Sequence, residues 1–269
     1  MGMDVIDSFV DGYGSDRNEY ENIRDALKKT IDKMLNDAGI MAITSSRTKD
    51  PDRLREKLEK RNEEKKYKVE QDIINDIPDL VGARIALYFP DDASKIPALL
   101  PTYFDIKKIK IFPEEQRKYK EYERRFSGYA ATHYRVQLKS PPAKLNPVVE
   151  IQVASLLMHA WSEVEHDLAY KAKKGDVSYE EYEALDEING LVIAGEISLQ
   201  RLQRLTQARI LEGKKSFSSH YQLADFLYEK SKEKMREEDV VLGDVESLYK
   251  LYEETKRLSI KKSKMILQE

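Results

Sequence analysis

Two carboxylates in the middle of the chain have the residue type and the surroundings of a metal site. Asp79 opens the segment 79–84 at the start of a predicted strand, and Glu150 lies on the polar side of a later strand. Mg²⁺ binds proteins through one or two carboxylates together with substrate phosphates, so the pair is a candidate catalytic and magnesium site. Strict alternation would place Asp79 and Arg84 on opposite faces unless a bulge or a later strand start intervenes. The alternative interpretation is two solvated carboxylates at strand ends.

Basic residues earlier in the chain have the types that bind polyphosphates. Arg47 and Lys49 precede a predicted helix, and Lys57 lies about two turns into it. Backbone N–H groups at a helix N-terminus and lysine ammonium groups bind phosphate, and a planar arginine can stack on a base. The pattern favours an anionic nucleotide ligand, with a solvated basic helix face as the alternative.

A third group of side chains follows Gly128. Tyr129 beside this glycine can present an unobstructed ring for base stacking, and His133 can contact a phosphate or a sugar hydroxyl. The alternative is an ordinary strand with a tyrosine and a surface histidine. Farther along, His159, Glu163 and His166 share one helix face, but a zinc site usually needs another ligand from a second element.

The hydrophobic period predicts the elements that position these residues. Helices are predicted over residues 16–38, 51–65, 93–100, 179–211, 219–234 and 245–267, with a further helix from residue 154, and Asp50 is a candidate N-cap. Strands are predicted at 40–44, 80–89, 103–111, 129–138 and 147–153. This order predicts an α+β fold whose sheet has one apolar and one polar face.

Composition excludes several classes of function. The 269 residues contain no cysteine, which excludes disulfides, thiolate metal sites and cysteine nucleophiles. No stretch approaches the roughly 20 apolar residues of a membrane span, and residues 1–20 lack the apolar segment of a secretory signal, so we expect a cytoplasmic protein. The phosphate-binding P-loop, the dinucleotide-binding glycine motif, the Gly-x-Ser-x-Gly motif and the His-Glu-x-x-His motif are absent from the sequence.

Charge is spread unevenly along the chain. The formal net charge is −3, yet residues 47–68 hold ten Lys or Arg against six Asp or Glu, and residues 107–125 hold eight against four. Such segregation favours an anionic ligand over the two basic segments and a solvated acidic surface elsewhere.

Taken in order, the motifs resemble the synthetase domain of the RelA/SpoT family, and most closely the small alarmone synthetases. The matching segments are 46–49 with Lys57, then 79–84, 128–133, 149–153 and 158–171. The resemblance covers about residues 20–210. It implies a synthetase domain over residues 1–210, and residues 211–269 become a helical extension that packs on this domain or mediates oligomerisation.

The resemblance implies a fold and a reaction. The fold is a mixed sheet of the nucleotidyltransferase type, similar to polymerase β, flanked by helices. The reaction moves the β,γ-pyrophosphate of ATP to the ribose 3′-hydroxyl of GDP or GTP and releases AMP. The partners are then ATP and GDP or GTP as substrates, Mg²⁺ as the cofactor and further copies of the chain in a dimer or tetramer, with no membrane.

The resemblance also implies roles for the metal and acceptor residues. Asp79 and Glu150 look like the catalytic Mg²⁺ carboxylates, and Glu150 has a second role in deprotonating the 3′-hydroxyl. Tyr129 looks like the residue that stacks on the acceptor base, with His133 and Gln152 nearby.

On the ATP side, the resemblance implies a base site and a phosphate site. Arg47 and Arg84 look like the pair that sandwiches adenine. Lys49 and Lys57 look like ligands of the ATP phosphates. In-line transfer of a phosphoryl-type group needs positioning and charge screening but no covalent nucleophile, which agrees with a chain without cysteine.

The sequence departs from the family pattern on the acceptor side. Ala154-Ser155 stands where relatives have Arg-Thr, Phe126-Ser127 where they have a nearby Asn, and Arg53 where they often have Ser. The acceptor is therefore open among GDP, GTP, GMP, an adenine nucleotide and the 3′ end of tRNA. A catalytically silent nucleotide-binding regulator is the alternative from another functional class.

Overall fold

A five-stranded mixed sheet lies at the centre of the described chain. The computed structural model describes residues 2–113, 122–170, 177–212, 217–236 and 239–266. The strands are β1 Ala42–Thr48, β2 Val81–Leu87, β3 Phe104–Phe112, β4 Ala131–Leu138 and β5 Val149–Ser155. Their spatial order is β1-β2-β5-β4-β3, in which β2 and β5 are parallel and the other neighbours antiparallel. The predicted α+β class and mixed sheet are confirmed.

Helices flank this sheet and make up the C-terminal region. They are α1 Gly2–Ser15, α2 Arg17–Asp37, α3 Pro51–Lys65, α4 Glu70–Asp76, α5 Ile96–Tyr103, α6 Leu156–Glu165, α7 Tyr179–Glu212, α8 His220–Lys232 and α9 Val245–Ile266. A 3-10 turn, Pro90–Lys95, follows β2, and a π-helical turn, His166–Tyr170, follows α6. Within the described ranges, no helix is long and apolar enough to cross a membrane.

One face of the sheet is sealed by α2. Ile23, Leu27 and Ile31 recur at helical spacing on this helix and are fully buried. They pack against strand residues such as Ile85 and Ile151, which alternate with half-buried neighbours along β2 and β5. The opposite face of the sheet is thereby left for polar side chains, as the sequence predicts.

Helix α1 is an element that the sequence reading missed. Residues 1–20 are polar and acidic enough to hide a stripe formed by Ile6, Phe9 and Tyr13, all of which are buried against α3 and α4. The Tyr13 hydroxyl donates to the backbone carbonyl of Lys49 at 2.7 Å. The N-terminal helix therefore braces the turn that carries this lysine.

Some element boundaries differ from prediction. Strand β5 continues through Ala154 and Ser155, and the following helix starts only at Leu156, because the Ser155 hydroxyl caps it by accepting from the Met158 N–H at 3.0 Å. The helix predicted over 93–100 is a 3-10 turn followed by α5. The segment Gly175-Asp176, which separates the helix predicted from residue 154 from the helix predicted over 179–211, lies outside the described residues.

Apolar residues recur along α7, and most of them are exposed. Leu185 is buried, but Ile188 is 43% exposed, Leu191 73%, Leu202 53% and Leu205 59%. The last four share one side of the helix at steps of three, eleven and three residues. The spacing of these residues marks an apolar side of the helix without saying what covers it.

Self-association stays a prediction, and the exposed side of α7 supports it. Isolated apolar side chains are common on protein surfaces, whereas four on one helix face mark an interaction site. We expect light scattering of the purified chain to give the mass of a dimer or tetramer. A monomer mass across the accessible concentration range would contradict this.

The C-terminal helices dock on the end of α2. Leu223, Ala224 and Val245 form a small buried cluster there. Gly39, which ends α2 with φ +66°, sits against the methyl group of Ala224 in α8. Glycine is required at this position for two reasons. The backbone is left-handed, and a Cβ would overlap Ala224.

We expect Gly39→Ala to destabilise the fold by about 2–4 kcal/mol, from left-handed backbone strain plus overpacking. Urea unfolding followed by circular dichroism measures this. Gly12→Ala is the matched control, since a Cβ on Gly12 of α1 meets nothing within 4 Å and alanine favours a helix by up to about 1 kcal/mol. If Ala224→Gly fails to restore part of the stability of Gly39→Ala, the contact with α8 is not the cause.

Candidate functional site

Strand pairing aligns charged residues in a row across the open face of the sheet. Arg47 of β1 pairs with Gly82 of β2, Gly82 with Glu150 of β5, and Glu150 with Arg135 of β4. Paired residues point to the same side of a sheet. Because Gly82 has no side chain, the row is open between Arg47 and Glu150. The sequence-predicted residues of these strands therefore share one surface.

A second row lies one step along the same face. Arg84 pairs with Ser45 on one side and Gln152 on the other, and Gln152 pairs with His133. The Arg84 Nε donates to Gln152 Oε1 at 3.4 Å, and its Nη2 lies 2.5 Å from Glu163 Oε1. Glu163 thus contacts a residue of the sheet, which sequence spacing along its own helix had not indicated.

Asp79 lies just before β2, so strand alternation does not constrain it. Its Oδ2 accepts from Lys49 Nζ at 2.6 Å, and its Oδ1 lies 3.0 Å from Lys57 Nζ. Burial opposes the charge of Asp79, but Lys57 and Lys49 outweigh it and hold the pKa at about 2. Three of the predicted residues are therefore in direct contact, and the apparent conflict between Asp79 and Arg84 disappears because β2 begins at Val81.

Glu150 is the second carboxylate of the site. Gln152 Nε2 donates to Glu150 Oε2 at 3.0 Å, and His133 Nδ1 lies 3.7 Å from the same oxygen. Burial raises the pKa of Glu150, but these two neighbours bring it below its usual value. The charge of Asp79 acts on Glu150 in the opposite direction, as expected of two neighbouring carboxylates.

Aromatic groups line the β3–β4 side of the site. The Tyr129 hydroxyl and His133 Nε2 are 3.1 Å apart, and the ring of Phe112 lies 4.6 Å from that of His133 and 5.8 Å from that of Tyr129. Burial raises the pKa of Tyr129 to about 12, so its hydroxyl stays protonated near neutral pH. Phe112 was not singled out from the sequence, where it directly follows the predicted strand 103–111; in the structure it is the last residue of β3.

The helix N-terminus proposed for phosphate binding is occupied by the chain itself. Asp50 Oδ1 accepts from the backbone N–H groups of Asp52 and Arg53, each at 3.1 Å. The N-cap prediction for Asp50 is confirmed, and for that reason the first turn of α3 does not offer these groups to an anion. Lys49 and Lys57 remain as the phosphate-binding candidates of this segment.

The sequence reading missed Asp186, which fixes the loop before Tyr129. This residue of α7 is only 2% exposed. Its carboxylate accepts from the Tyr122 hydroxyl at 3.0 Å and from the backbone N–H of Arg125 at 2.7 Å. Helical periodicity gives no signal for such a residue, because an aspartate on a helix is normally assigned to solvent.

Asn189, one turn farther along α7, holds the same loop. It is fully buried, accepts from the Gly128 N–H at 3.0 Å and donates to the Gly128 carbonyl at 3.3 Å. Gly128 has φ +75° and its missing Cβ makes room for the Arg124 guanidinium. Two side chains of α7 therefore set the backbone from which Tyr129 projects.

The carboxylates fit a divalent cation better than the histidines do. Asp79 and Glu150 have lowered pKa values and present ionised oxygens, the ligands that Mg²⁺ prefers. His159 is 7% exposed, whereas His166 is exposed. Over the residues the structure describes, no group of three or more His, Asp or Glu side chains is arranged around a common point.

Residues 46–175 match the family described as the region found in RelA / SpoT proteins. This part of the chain, 130 of the 269 residues, is similar to the RelA/SpoT family. Over 100 residues the chain is 32% identical to GTP pyrophosphokinase YjbM of Bacillus subtilis, an alignment that covers 36% of this chain and 44% of that relative. The RelA/SpoT region contains every predicted site residue.

Solved structures of low sequence identity have the same fold. The small alarmone synthetase 1 from Bacillus subtilis bound to its product pppGpp has a TM-score of 0.56 at 19% identity, covering 73% of this chain and 99% of that one. Its complex with AMPCPP has a TM-score of 0.56 at 16% identity, covering 74% and 99%. The fold of the RelA/SpoT region thus extends beyond the residues matched by the family model.

We expect the buried His159 to make the fold acid-sensitive. Burial, with a smaller effect of Arg84, lowers its pKa from 6.5 to about 4. Between these two pH values the histidine is protonated in the unfolded chain and neutral in the folded chain. Its contribution to stability is complete above pH 6.5 and is lost as the pH falls toward 4. Between pH 7 and pH 5 the free energy of unfolding should fall by about 2 kcal/mol.

Urea titrations at the two pH values test this. His159→Leu should remove most of the pH dependence, whereas the exposed His166→Gln should retain it. Equal pH dependence in wild type and His159→Leu would refute the assignment.

Proposed function

We propose that this chain is an ATP-dependent pyrophosphokinase that transfers the β,γ-pyrophosphate of ATP to the 3′-hydroxyl of GDP or GTP and releases AMP. The observation that carries the proposal is the pair of ionised carboxylates, Asp79 and Glu150, on a face otherwise lined with basic and hydrogen-bonding groups. Polyphosphate transfer needs this combination of metal ligands and cations.

The donor nucleotide fits the β1–β2 side of the site. Arg47 and Arg84 project from neighbouring strands on one face, offset by two residues in register, as a pair enclosing a flat base requires. Lys49 and Lys57 contact Asp79, so both lysines lie next to the proposed position of the ATP phosphates. The lysines keep Asp79 ionised and supply positive charge to the same phosphates.

Mg²⁺ held by Asp79 and Glu150 would neutralise charge on the transferred group. Burial lowers the pKa of Lys49, and Asp79 opposes that effect. The cation and the two lysines beside Asp79 would together hold the polyphosphate in one place and one orientation.

The acceptor nucleotide fits the β4 side. Tyr129 offers a half-buried ring for the base, while His133 and Gln152 orient Glu150. Glu150 would accept the hydrogen bond of the 3′-hydroxyl and its proton as the new bond forms from O3′ to the β-phosphorus. The bond between the β-phosphorus and the oxygen bridging it to the α-phosphate breaks, and AMP leaves with that oxygen.

Relatives support these substrates by analogy. The Bacillus subtilis relative is named a GTP pyrophosphokinase, and small alarmone synthetase 1 binds pppGpp and AMPCPP. The alignment to the first relative spans less than half of its length. The acceptor of this chain is therefore best decided by experiment.

An acceptor panel tests the proposal. The chain is incubated with Mg²⁺, γ-labelled ATP and one acceptor at a time: GDP, GTP, GMP, AMP, ADP or deacylated tRNA. Chromatography should reveal AMP together with labelled guanosine 3′-pyrophosphates. Transfer to tRNA alone would select the tRNA-modifying alternative, and no labelled product with any acceptor would leave the silent regulator.

We expect Asp79→Asn to lower turnover by about 100-fold or more, because a neutral amide is a poor ligand for Mg²⁺ and several kcal/mol of charge stabilisation are lost. Asp25→Asn on the exposed side of α2 is the matched control and should leave the rate unchanged. Full activity of Asp79→Asn would remove this residue from the catalytic site.

Asn189→Leu should raise the KM for the acceptor about tenfold with little change in the KM for ATP. The physical reason is that Gly128 loses both hydrogen bonds to the side chain, at a cost of about 1–3 kcal/mol, and Tyr129 is no longer held in place. Steady-state kinetics with each substrate varied in turn measures the two constants. Glu187→Gln, on the exposed side of α7, is the control; equal rises in both constants would point to general destabilisation instead.

A further inference from the structure

A polar cavity lies at the opposite end of β2 from Asp79. It has a volume of about 610 Å³ and is bounded by the 3-10 turn Pro90–Lys95, the C-terminal part of α7 and helix α8. Asp79 precedes the first residue of β2 and Pro90 follows the last, so the length of this strand, roughly 20 Å, separates the cavity from the carboxylate site. A volume of this size accommodates a small metabolite.

Gln203 lines the cavity and has an unused acceptor. This residue of α7 is only 4% exposed. Its Nε2 donates to Asp92 Oδ1 at 3.0 Å, which fixes the orientation of the amide because a carboxylate only accepts. Its Oε1 has no hydrogen-bond partner in the part of the chain that the structure describes. A buried carbonyl oxygen without a partner favours a ligand that brings an N–H group.

The charges around the cavity are balanced. Its three carboxylates and three cations are Asp91, Asp92, Glu229, Lys95, Arg204 and Lys232. The interior pair is tight, since Lys95 Nζ lies 2.8 Å from Asp92 Oδ1. The outer pairs are looser, with Arg204 Nη2 at 3.5 Å from Asp91 Oδ2 and Lys232 Nζ at 3.8 Å from Glu229 Oε1. Such a lining favours neither a polyanion nor a polycation.

The floor of the cavity is built from buried groups. Tyr228 of α8 is 5% exposed, and Lys95 Nζ lies 4.5 Å from the centre of its ring. Lys95 also contacts Asp225 at 3.6 Å. The interior charges are thus fixed in place by α8, while Arg204 and Asp91, which pair with each other at 3.5 Å, lie at the exposed mouth of the cavity.

We propose that this cavity binds a zwitterion that carries both an ammonium group and a carboxylate, as a free α-amino acid or a short peptide does. The ammonium group would donate to Gln203 Oε1 beside the carboxylates of Asp91 and Asp92. The ligand carboxylate would bind the guanidinium of Arg204. The ligand would then bridge the RelA/SpoT region and the helices that follow it.

Calorimetry and thermal unfolding of the full chain test this, because a ligand that binds only the folded state raises the unfolding temperature. The probes are each standard amino acid and the matching glycyl dipeptides, which separate the two sources of a zwitterion. For each probe that binds, its N-acetyl derivative lacks the ammonium group and its amide lacks the carboxylate. Both derivatives should bind at least about tenfold more weakly.

Variants locate the binding. Arg204→Ala changes an exposed residue and should weaken binding at least about tenfold. Arg201→Ala, one turn earlier on an exposed position of α7, is the matched control and should bind as wild type does. Gln203→Leu keeps the shape and removes the acceptor, and it should also weaken binding.

Three results would overturn the proposal. One is that no amino acid or dipeptide binds. Another is that excess ATP displaces every zwitterion that binds, which would place the zwitterions in the carboxylate site instead of this cavity. The third is that Arg204→Ala and Gln203→Leu, both folded by circular dichroism, bind the probe as tightly as Arg201→Ala. None of these readouts depends on the pyrophosphokinase reaction, so the two proposals fail separately.

Discussion

The parallel pairing of β2 with β5 is the constraint on which the candidate site depends. It sets Gly82 beside Glu150 and Arg84 beside Gln152, although nearly seventy residues separate them in sequence. A slip of one residue would turn every one of these side chains toward α2 and bury charges in the apolar core. The packing of that core against the other face therefore fixes the chemistry of the open face.

Opposed electrostatic effects maintain the site once it is assembled. Burying Asp79 costs free energy, and two lysines on separate elements offset that cost. Lys49 is held by its position after β1, while Lys57 extends from α3, which α1 braces from behind. The same lysines are the natural partners of a polyphosphate. When a polyphosphate binds together with a cation, the cation would balance the charge of Asp79 and the lysines would balance that of the phosphates.

Helix α7 links the functional features of the molecule. Near its start, Asp186 and Asn189 hold the loop that leads to Tyr129. Near its end, Gln203 and Arg204 line the second cavity. A long helix is stiff along its axis because every turn is hydrogen-bonded, so side chains at both ends keep a fixed relation to the sheet. Several polar residues of α7 are buried and several leucines are exposed, because the contacts of the helix with the rest of the chain decide which residues are covered.

The sequence by itself determined the α+β class and the extent of most elements, because hydrophobic period is a local property. Its ordered motifs also predicted which residues form the candidate site, and their roles stay predictions. It could not determine the contact of Lys57 with Asp79 or of Arg84 with Glu163, since these depend on how distant elements pack. Burial was also decided only by the tertiary structure. The polar Asn189 lies in the core while Leu191, two residues away, faces solvent, because what covers a helix face comes from elsewhere in the chain.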